Sequence, residues 1–298
     1  MASESPAGAQ PIINAGEGSG AASSRVLGCT GRLYDGIRSG SRSKVRPMGI
    51  GEILAIALAG LAAGTVNTVV GSGTLITFPV LLAFGYAPII ANVSNTIGLV
   101  PGSVSGAVGY RRELAGQRRR AMRLGVASML GGITGAVLLL VLPASAFKAI
   151  VPAFIAIALV LVVLQPRINR LLEKREIGAW HERGILTPLS IFATGIYGGY
   201  FGAAQGVLLL GILGVVLPQS LQRTNALKNV LAGLVNGVAG LFFVFAAHVA
   251  WAPAAIIAAA SIVGGQLGAR YGRRLPPAVL RGLIVVVGTT AIVRLLAG

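Results

Sequence analysis

The chain has 298 residues, 54% of them hydrophobic and 11% charged, with a formal net charge of +17 at pH 7. Soluble domains carry about 25% charged residues, so this composition excludes a water-soluble globular protein and points to an all-α, polytopic membrane protein. Continuous runs such as GAVLLLVLPASAF and VPAFIAIALVLVVLQP exclude a transmembrane barrel, whose strands alternate apolar and polar residues.

The first 47 residues are rich in Gly, Ser and Arg and have no apolar run, which predicts a disordered basic tail. They lack the apolar core of a signal peptide, and MGIGEILAIALAGL, beginning at Met48, reads as a native translation start. Cys29 is the only cysteine, so neither a disulfide framework nor a cysteine metal cluster is expected.

A helix needs about 20 apolar residues to cross a bilayer. The spans fall near 50–70, 74–86, 88–110, 121–142 and 146–165, then near 185–204, 206–217, 222–247, 252–270 and 278–297. The second member of each group is short and is expected to cross only partly. Residues 48–166 and 185–298 thus read as two membrane repeats, joined by a basic linker at 167–184. They match at one constant offset: Gly60, Gly64 and Gly71 fall on Gly195, Gly199 and Gly206, and GLVPG (98–102) falls on GLVNG (233–237). The basic stretches at 110–123, 167–184 and 269–274 mark cytoplasmic loops by the positive-inside rule, which excludes a nucleic-acid partner. Five spans per half make two homologous repeats of inverted topology, with ten crossings. The alternative treats the first short helix as re-entrant and brings the N-terminus inside, and the sequence leaves eight and ten crossings both open.

Polar groups in hydrocarbon are costly and usually face a pathway. The first half offers Asn67, Thr68, Ser72, Thr74 and Thr77 around a glycine-rich turn, then Asn92 and Asn95, which share one helix face. The second offers Gln205 beside its own turn, then Asn225, Lys228, Asn229 and Asn236. The plainer readings are Ser103 and Ser105 bonding to their own helix, Gly98, Gly102 and Gly106 admitting a neighbouring backbone, and Arg223 marking a cytoplasmic helix end. No Asp follows Asp35, and past the tail the only glutamates are Glu52 at a helix start and four in basic loops. A carboxylate proton relay therefore has no deep candidate, and a site of Lys and Asn without acids favours a small anionic substrate. GSGT lacks the lysine and the strand of a nucleotide-binding P-loop. His181 and His248 are too few and too separated for a metal centre. No cofactor and no enzymatic activity are expected, and the lipid bilayer is the second partner. A homo-oligomer stays open.

Three segments together resemble the TauE/SafE sulfite-exporter family. They are GLAAGTVNTVVGSGTLITFPVLLAFGYAPIIANVSNTIG, the stretch from GIYGGYFGAAQGVLLLGILG through QRTNALKNVLAGLVNGVAGLFFVFAAHVAW, and the closing GGQLGARYGRRLPPAVLRGLIVVVGTTAIVRLL. The resemblance covers residues 50–298. It departs from the family pattern at Ser72 and at GAAQG, where glycines are common. It implies a duplicated carrier in the cytoplasmic membrane for sulfite, organosulfonates or related sulfur-containing anions.

The expected site lies between two helix breaks near the midplane, where exposed N–H groups and helix dipoles attract an anion. Gly71, Ser72, Gly73 and Thr74 form one break and Gln205 and Gly206 the other. Asn67, Asn92, Asn95, Asn225 and Asn229 donate hydrogen bonds and Lys228 supplies charge. The competing expectation is a non-transporting membrane scaffold or assembly partner, which accounts for the glycine faces but not for polar clusters in both halves.

Overall fold

The computed structural model describes residues 48–174 and 184–272, with 282, 284–290, 292 and 293 of the closing segment. The expectations for residues 1–47, for most of the basic linker and for most of the last helix lie outside the described residues. Residues 49–298 form one compact unit. Every regular element among the described residues is a helix, as lipid requires of a chain that must satisfy its own backbone.

The first group comprises α1 (Ile50–Val69), α2 (Thr74–Ala83), α3 (Pro88–Gly109), α4 (Arg118–Val141) and α5 (Ala144–Lys174). The second comprises α6 (Leu186–Tyr200), α7 (Gln205–Val216), α8 (Leu221–Ala246) and α9 (Trp251–Tyr271), followed by helical residues at 284–290. Two boundaries differ from expectation. Helix α5 runs on past Pro166 to Lys174, since basic residues continue a helix readily once it leaves the apolar layer. Helix α6 stops at Tyr200, so the second break occupies residues 201–204 and Gln205 already opens α7.

Helices α1, α4, α5 over Ala144–Ile168, α8 and α9 are long and apolar enough to cross a membrane. Helix α3 has 22 residues, and six buried polar side chains, Asn92, Ser94, Asn95, Thr96, Ser103 and Ser105, dilute its apolar character. Exposed apolar stripes support the bilayer setting. Val126, Leu130, Ile133 and Val137 line one face of α4, a patch that suits lipid and would drive aggregation in water.

Helix α2 has 10 residues and measures about 15 Å at 1.5 Å per residue, half the hydrocarbon thickness of about 30 Å. It folds back along α1. A Cβ on Gly73 would lie 2.5 Å from the Ala63 carbonyl oxygen, while at the far end the Tyr86 hydroxyl donates to Glu52 Oε1 at 3.0 Å. Helices α1 and α2 therefore form a hairpin with both outer ends at one level. Helices α6 and α7 form the second hairpin.

Small residues set the packing, because in lipid close backbone approach replaces the hydrophobic effect as the source of helix association. Hairpin helix α1 lies parallel to α9: a Cβ on Gly64 would come 2.5 Å from the Ser261 oxygen, and one on Gly264 would come 2.2 Å from the Leu61 oxygen. The same interface recurs between α6 and α4, where a Cβ on Gly195 would meet the Ser128 oxygen at 2.7 Å and one on Gly131 the Phe192 oxygen at 2.2 Å. Ser261 Oγ donates to the Gly98 carbonyl at 3.0 Å and Ser128 Oγ to that of Leu231 at 3.1 Å.

These reciprocal contacts make Gly64 the counterpart of Gly195, and Ser128 the counterpart of Ser261. The packing therefore does not follow the register that sets Gly60 on Gly195 and Gly64 on Gly199; it is shifted from it by a few positions. That register aligned abundant glycines by identity, and Gly71 and Gly206 prove to be neighbours in space. Helices α3 and α8 cross antiparallel: Gly240 packs on Ile97 and Val100, and Gly233 on Ser103.

Gly98, Gly102 and Gly106 do admit neighbours: Ile257, Ser261 and Thr68 respectively lie within 2.8 Å of a Cβ added there. Ser103 bonds to its own helix at the Leu99 carbonyl (2.9 Å). Ser105 instead reaches across to the Ile262 carbonyl on α9 (2.7 Å), because the neighbouring glycines bring that backbone within reach.

Candidate functional site

Each hairpin turns in the same way. The N–H groups of Val70 and Gly71 both donate to the Val66 carbonyl (2.7 and 3.0 Å), and those of Phe201 and Gly202 to the Tyr197 carbonyl (3.0 and 3.1 Å). Both turns need a left-handed residue, and glycine supplies it at Gly71 (φ 89°) and Gly202 (φ 76°). The second turn adds Ala204 at φ 57°, the one non-glycine with positive φ among the described residues. The two tips touch: the Gly206 N–H donates to the Gly71 carbonyl at 3.0 Å, and a Cβ on either glycine would lie 2.4 Å from the other's Cα. Side chains are excluded at both glycines by space, and at Gly71 by φ as well.

A helix that ends inside the membrane leaves carbonyls that must find donors. At the end of α1 they find them on α8. The Thr68 carbonyl accepts from Asn225 Nδ2, Lys228 Nζ and Asn229 Nδ2, each at 3.2 Å. The Asn67 carbonyl accepts from Lys228 Nζ at 3.1 Å. The i, i+4 relation of Asn225 and Asn229 puts both amides on the face that meets α1. Lys228 is fully buried, and its positive charge lies against the negative end of the α1 dipole.

At the end of α6 the Tyr200 carbonyl accepts from Asn92 Nδ2 at 3.0 Å. Asn95 serves the start of α2 instead: its Nδ2 donates to Thr74 Oγ1 at 3.3 Å, and its Oδ1 accepts from Thr77 Oγ1. Asn67 Nδ2 and Asn236 Nδ2 both point to Ser103 Oγ, at 3.3 and 3.5 Å.

The structure therefore gathers all the expected site residues at two touching tips and the faces of α3 and α8 beside them. The Lys228 ammonium and the Asn92, Asn225 and Asn229 amides are directed to backbone carbonyls.

Six buried side-chain polar atoms lack a partner among the described residues, and five of them belong here: Ser72 Oγ, Asn92 Oδ1, Tyr200 Oη, Gln205 Nε2 and Asn225 Oδ1. Gln205 folds against Gly198, where an added Cβ would come within 2.3 Å of its amide carbon. Buried polar atoms are paired in more than about 90% of cases, so five unpaired atoms on the residues at and beside the tips depart from the usual pattern.

Tyr200 escaped the sequence reading. Its ring packs among Phe147 and Phe154 at centroid distances of 5.8 and 6.0 Å. Its signal was a phenol at the end of an apolar helix, in GIYGGYF. Arg223 belongs to the loop side: its Nη2 donates to the Ala115 carbonyl at 2.9 Å.

A family model described as sulfite exporter TauE/SafE matches residues 56–295. A relative named probable membrane transporter protein ORF9, from Sinorhizobium sp., is 28% identical over 242 residues, covering 80% of this chain and 90% of its own. The probable membrane transporter protein YfcA of Escherichia coli K12 is 26% identical over 260 residues, 85% of this chain and 91% of its own. A probable membrane transporter protein of Haemophilus influenzae is 23% identical over 239 residues, 80% and 92% of the two chains. No solved structure matches.

Proposed function

This chain belongs to the sulfite exporter TauE/SafE family and is a multi-pass membrane transporter, not an enzyme; on that premise we propose that it carries a small anion across the cytoplasmic membrane by alternating access. The cargo we propose is sulfite, an organosulfonate or a related sulfur-containing anion. The two membrane repeats, 48–166 and 185–298 with the linker 167–184 between them, are inverted copies. The reciprocal packing of α1 on α9 and α6 on α4, with α3 and α8 antiparallel, supports that reading.

The anion binds at the tips. Helices α2 and α7 begin there, so the positive ends of two dipoles favour a negative charge. Ser72 and Gln205 bring donors without partners, Gly71 and Gly206 let the two tips touch, and Gly73 lets α2 close on α1. Lys228 is the nearest cation, while Asn67, Thr74, Asn95 and Asn229 hold the helix ends that frame the site. Rocking of one hairpin pair against α3 and α8 exposes the tips to either side in turn.

The observation that carries this reading is the cluster of five unpartnered buried polar atoms around the tips. The test is flux into proteoliposomes containing the full chain, with labelled sulfite, organosulfonates and other small anions. Saturable flux of at least one sulfur-containing anion is expected. Absence of saturable flux for every small anion, in both directions, overturns the proposal and favours a scaffold.

A further inference from the structure

The unpartnered atoms at the tips are of two kinds, and the difference bears on the ligand. Ser72 Oγ, Tyr200 Oη and Gln205 Nε2 can all donate. Asn92 Oδ1 and Asn225 Oδ1 can only accept. The orientation of the two asparagine amides is not arbitrary. Asn92 Nδ2 faces the Tyr200 carbonyl at 3.0 Å and Asn225 Nδ2 faces the Thr68 carbonyl at 3.2 Å. A carbonyl only accepts, so a flip would set oxygen against oxygen. In each case the amide oxygen is left facing away.

Asn92 and Asn225 are 0% and 6% exposed. Their separation along the chain equals that between Ser128 and Ser261, the pair matched by the reciprocal packing. Matching positions on α3 and α8 thus present the same unsatisfied acceptor. The hydroxyls of Ser72 and Tyr200 do not reach these oxygens, since all four atoms are unpaired.

A bare oxyanion meets only half of this site. Ser72 Oγ, Gln205 Nε2 and the starts of α2 and α7 can donate to its oxygens, but Asn92 Oδ1 and Asn225 Oδ1 can offer it only lone pairs. A site built to hydrogen-bond a substrate hydroxyl or amine rejects the analogue that lacks it, because its own polar groups stay unpaired. We propose that the paired Asn92 and Asn225 amide oxygens make this site selective for anions that carry their own donor, a hydroxyl or amino group a few bonds from the anionic head. The proposal rests on the transport reading above and specifies its substrate class.

The experiment uses the detergent-purified full chain and matched ligands differing by one hydroxyl: ethanesulfonate against 2-hydroxyethanesulfonate, and propionate against 3-hydroxypropionate. Affinities come from calorimetric titration. The hydroxylated member of at least one pair is expected to bind about tenfold tighter or more, as one buried hydrogen bond allows. In Asn225→Ala that ratio should fall toward one. This variant leaves the Thr68 carbonyl served by Lys228 and Asn229, and its fold is checked by thermal unfolding. Asn92→Ala is the independent second variant.

Equal affinity within both pairs overturns the proposal and leaves the carrier reading intact. A preference that survives unchanged in both variants overturns it too. If none of the four anions binds, this proposal falls, and the flux measurement decides separately whether transport falls with it.

Discussion

The two hairpins share one fold and differ in how their tips are held. At the first, the carbonyls of Asn67 and Thr68 receive four hydrogen bonds from three side chains of α8, one of them an ammonium. Asn95 ties the restart of the chain at Thr74 and Thr77. At the second, Asn92 serves the Tyr200 carbonyl and the Tyr197 hydroxyl donates to that of Ala203. Both keep unspent polar atoms, Ser72 and Asn225 at the first and Tyr200 and Gln205 at the second, but only the second has Ala204, whose left-handed backbone costs roughly 1–2 kcal/mol in an L-residue. The first hairpin is held mainly by polar side chains of α8, the second by one amide, one tyrosine hydroxyl and the rings packed on Tyr197, Tyr200 and Phe201. On the transport reading proposed above, moving α6–α7 away from α3 and α8 breaks fewer polar side-chain bonds than moving α1–α2.

The sharpest way to break this contrast is to remove the anchor. Lys228→Met strips the Asn67 carbonyl of its donor and leaves Thr68 with two amides. We expect at least a tenfold loss of anion flux and a stability loss of about 1–3 kcal/mol, the cost of orphaning a buried polar group. Wild-type flux and melting temperature in this variant would abolish the distinction between the hairpins. A finer comparison sets Asn92→Ala against Asn229→Ala. The first leaves Tyr200 with no side-chain donor and should cost about 1–3 kcal/mol, whereas the second leaves Thr68 with two donors and should cost under about 1 kcal/mol. Equal shifts in thermal unfolding would show that the extra bonds to Thr68 are not redundant. The smallest effect belongs to Ala204→Gly, which should raise stability by up to roughly 1 kcal/mol through relief of the left-handed strain. A lower melting temperature would mean that the Ala204 methyl contributes more in packing than the strain costs.

Much of this was legible in the sequence because lipid imposes simple rules. Length and apolarity located the helices, and GSGT inside an apolar run located the first break. The second break was misplaced by several residues because GYFGAAQG offers glycines on both sides of the true turn. Identity matching selected Gly206, whereas the left-handed φ that defines the turn belongs to Gly202. The polar faces of α3 and α8 were readable from their i, i+3 and i, i+4 spacing. What they bond was not. The carbonyls they serve lie 108 residues from Asn92 and 157 from Asn225, and no local pattern encodes a partner at that distance. The unpaired oxygens are invisible in sequence for the same reason, since they are what remains once the tertiary bonds are made.

The packing of α1 on α9 also has a consequence for biosynthesis. Thr65 bonds to the Gly264 carbonyl at 3.1 Å across 199 residues, and the Thr68 carbonyl meets Lys228 only 160 residues later in the chain. At translation rates of about 5–20 residues per second, the first hairpin waits on the order of 10–40 seconds in the bilayer before its partners emerge. During that interval the Asn67 and Thr68 carbonyls lack the α8 side chains that cap them in the fold.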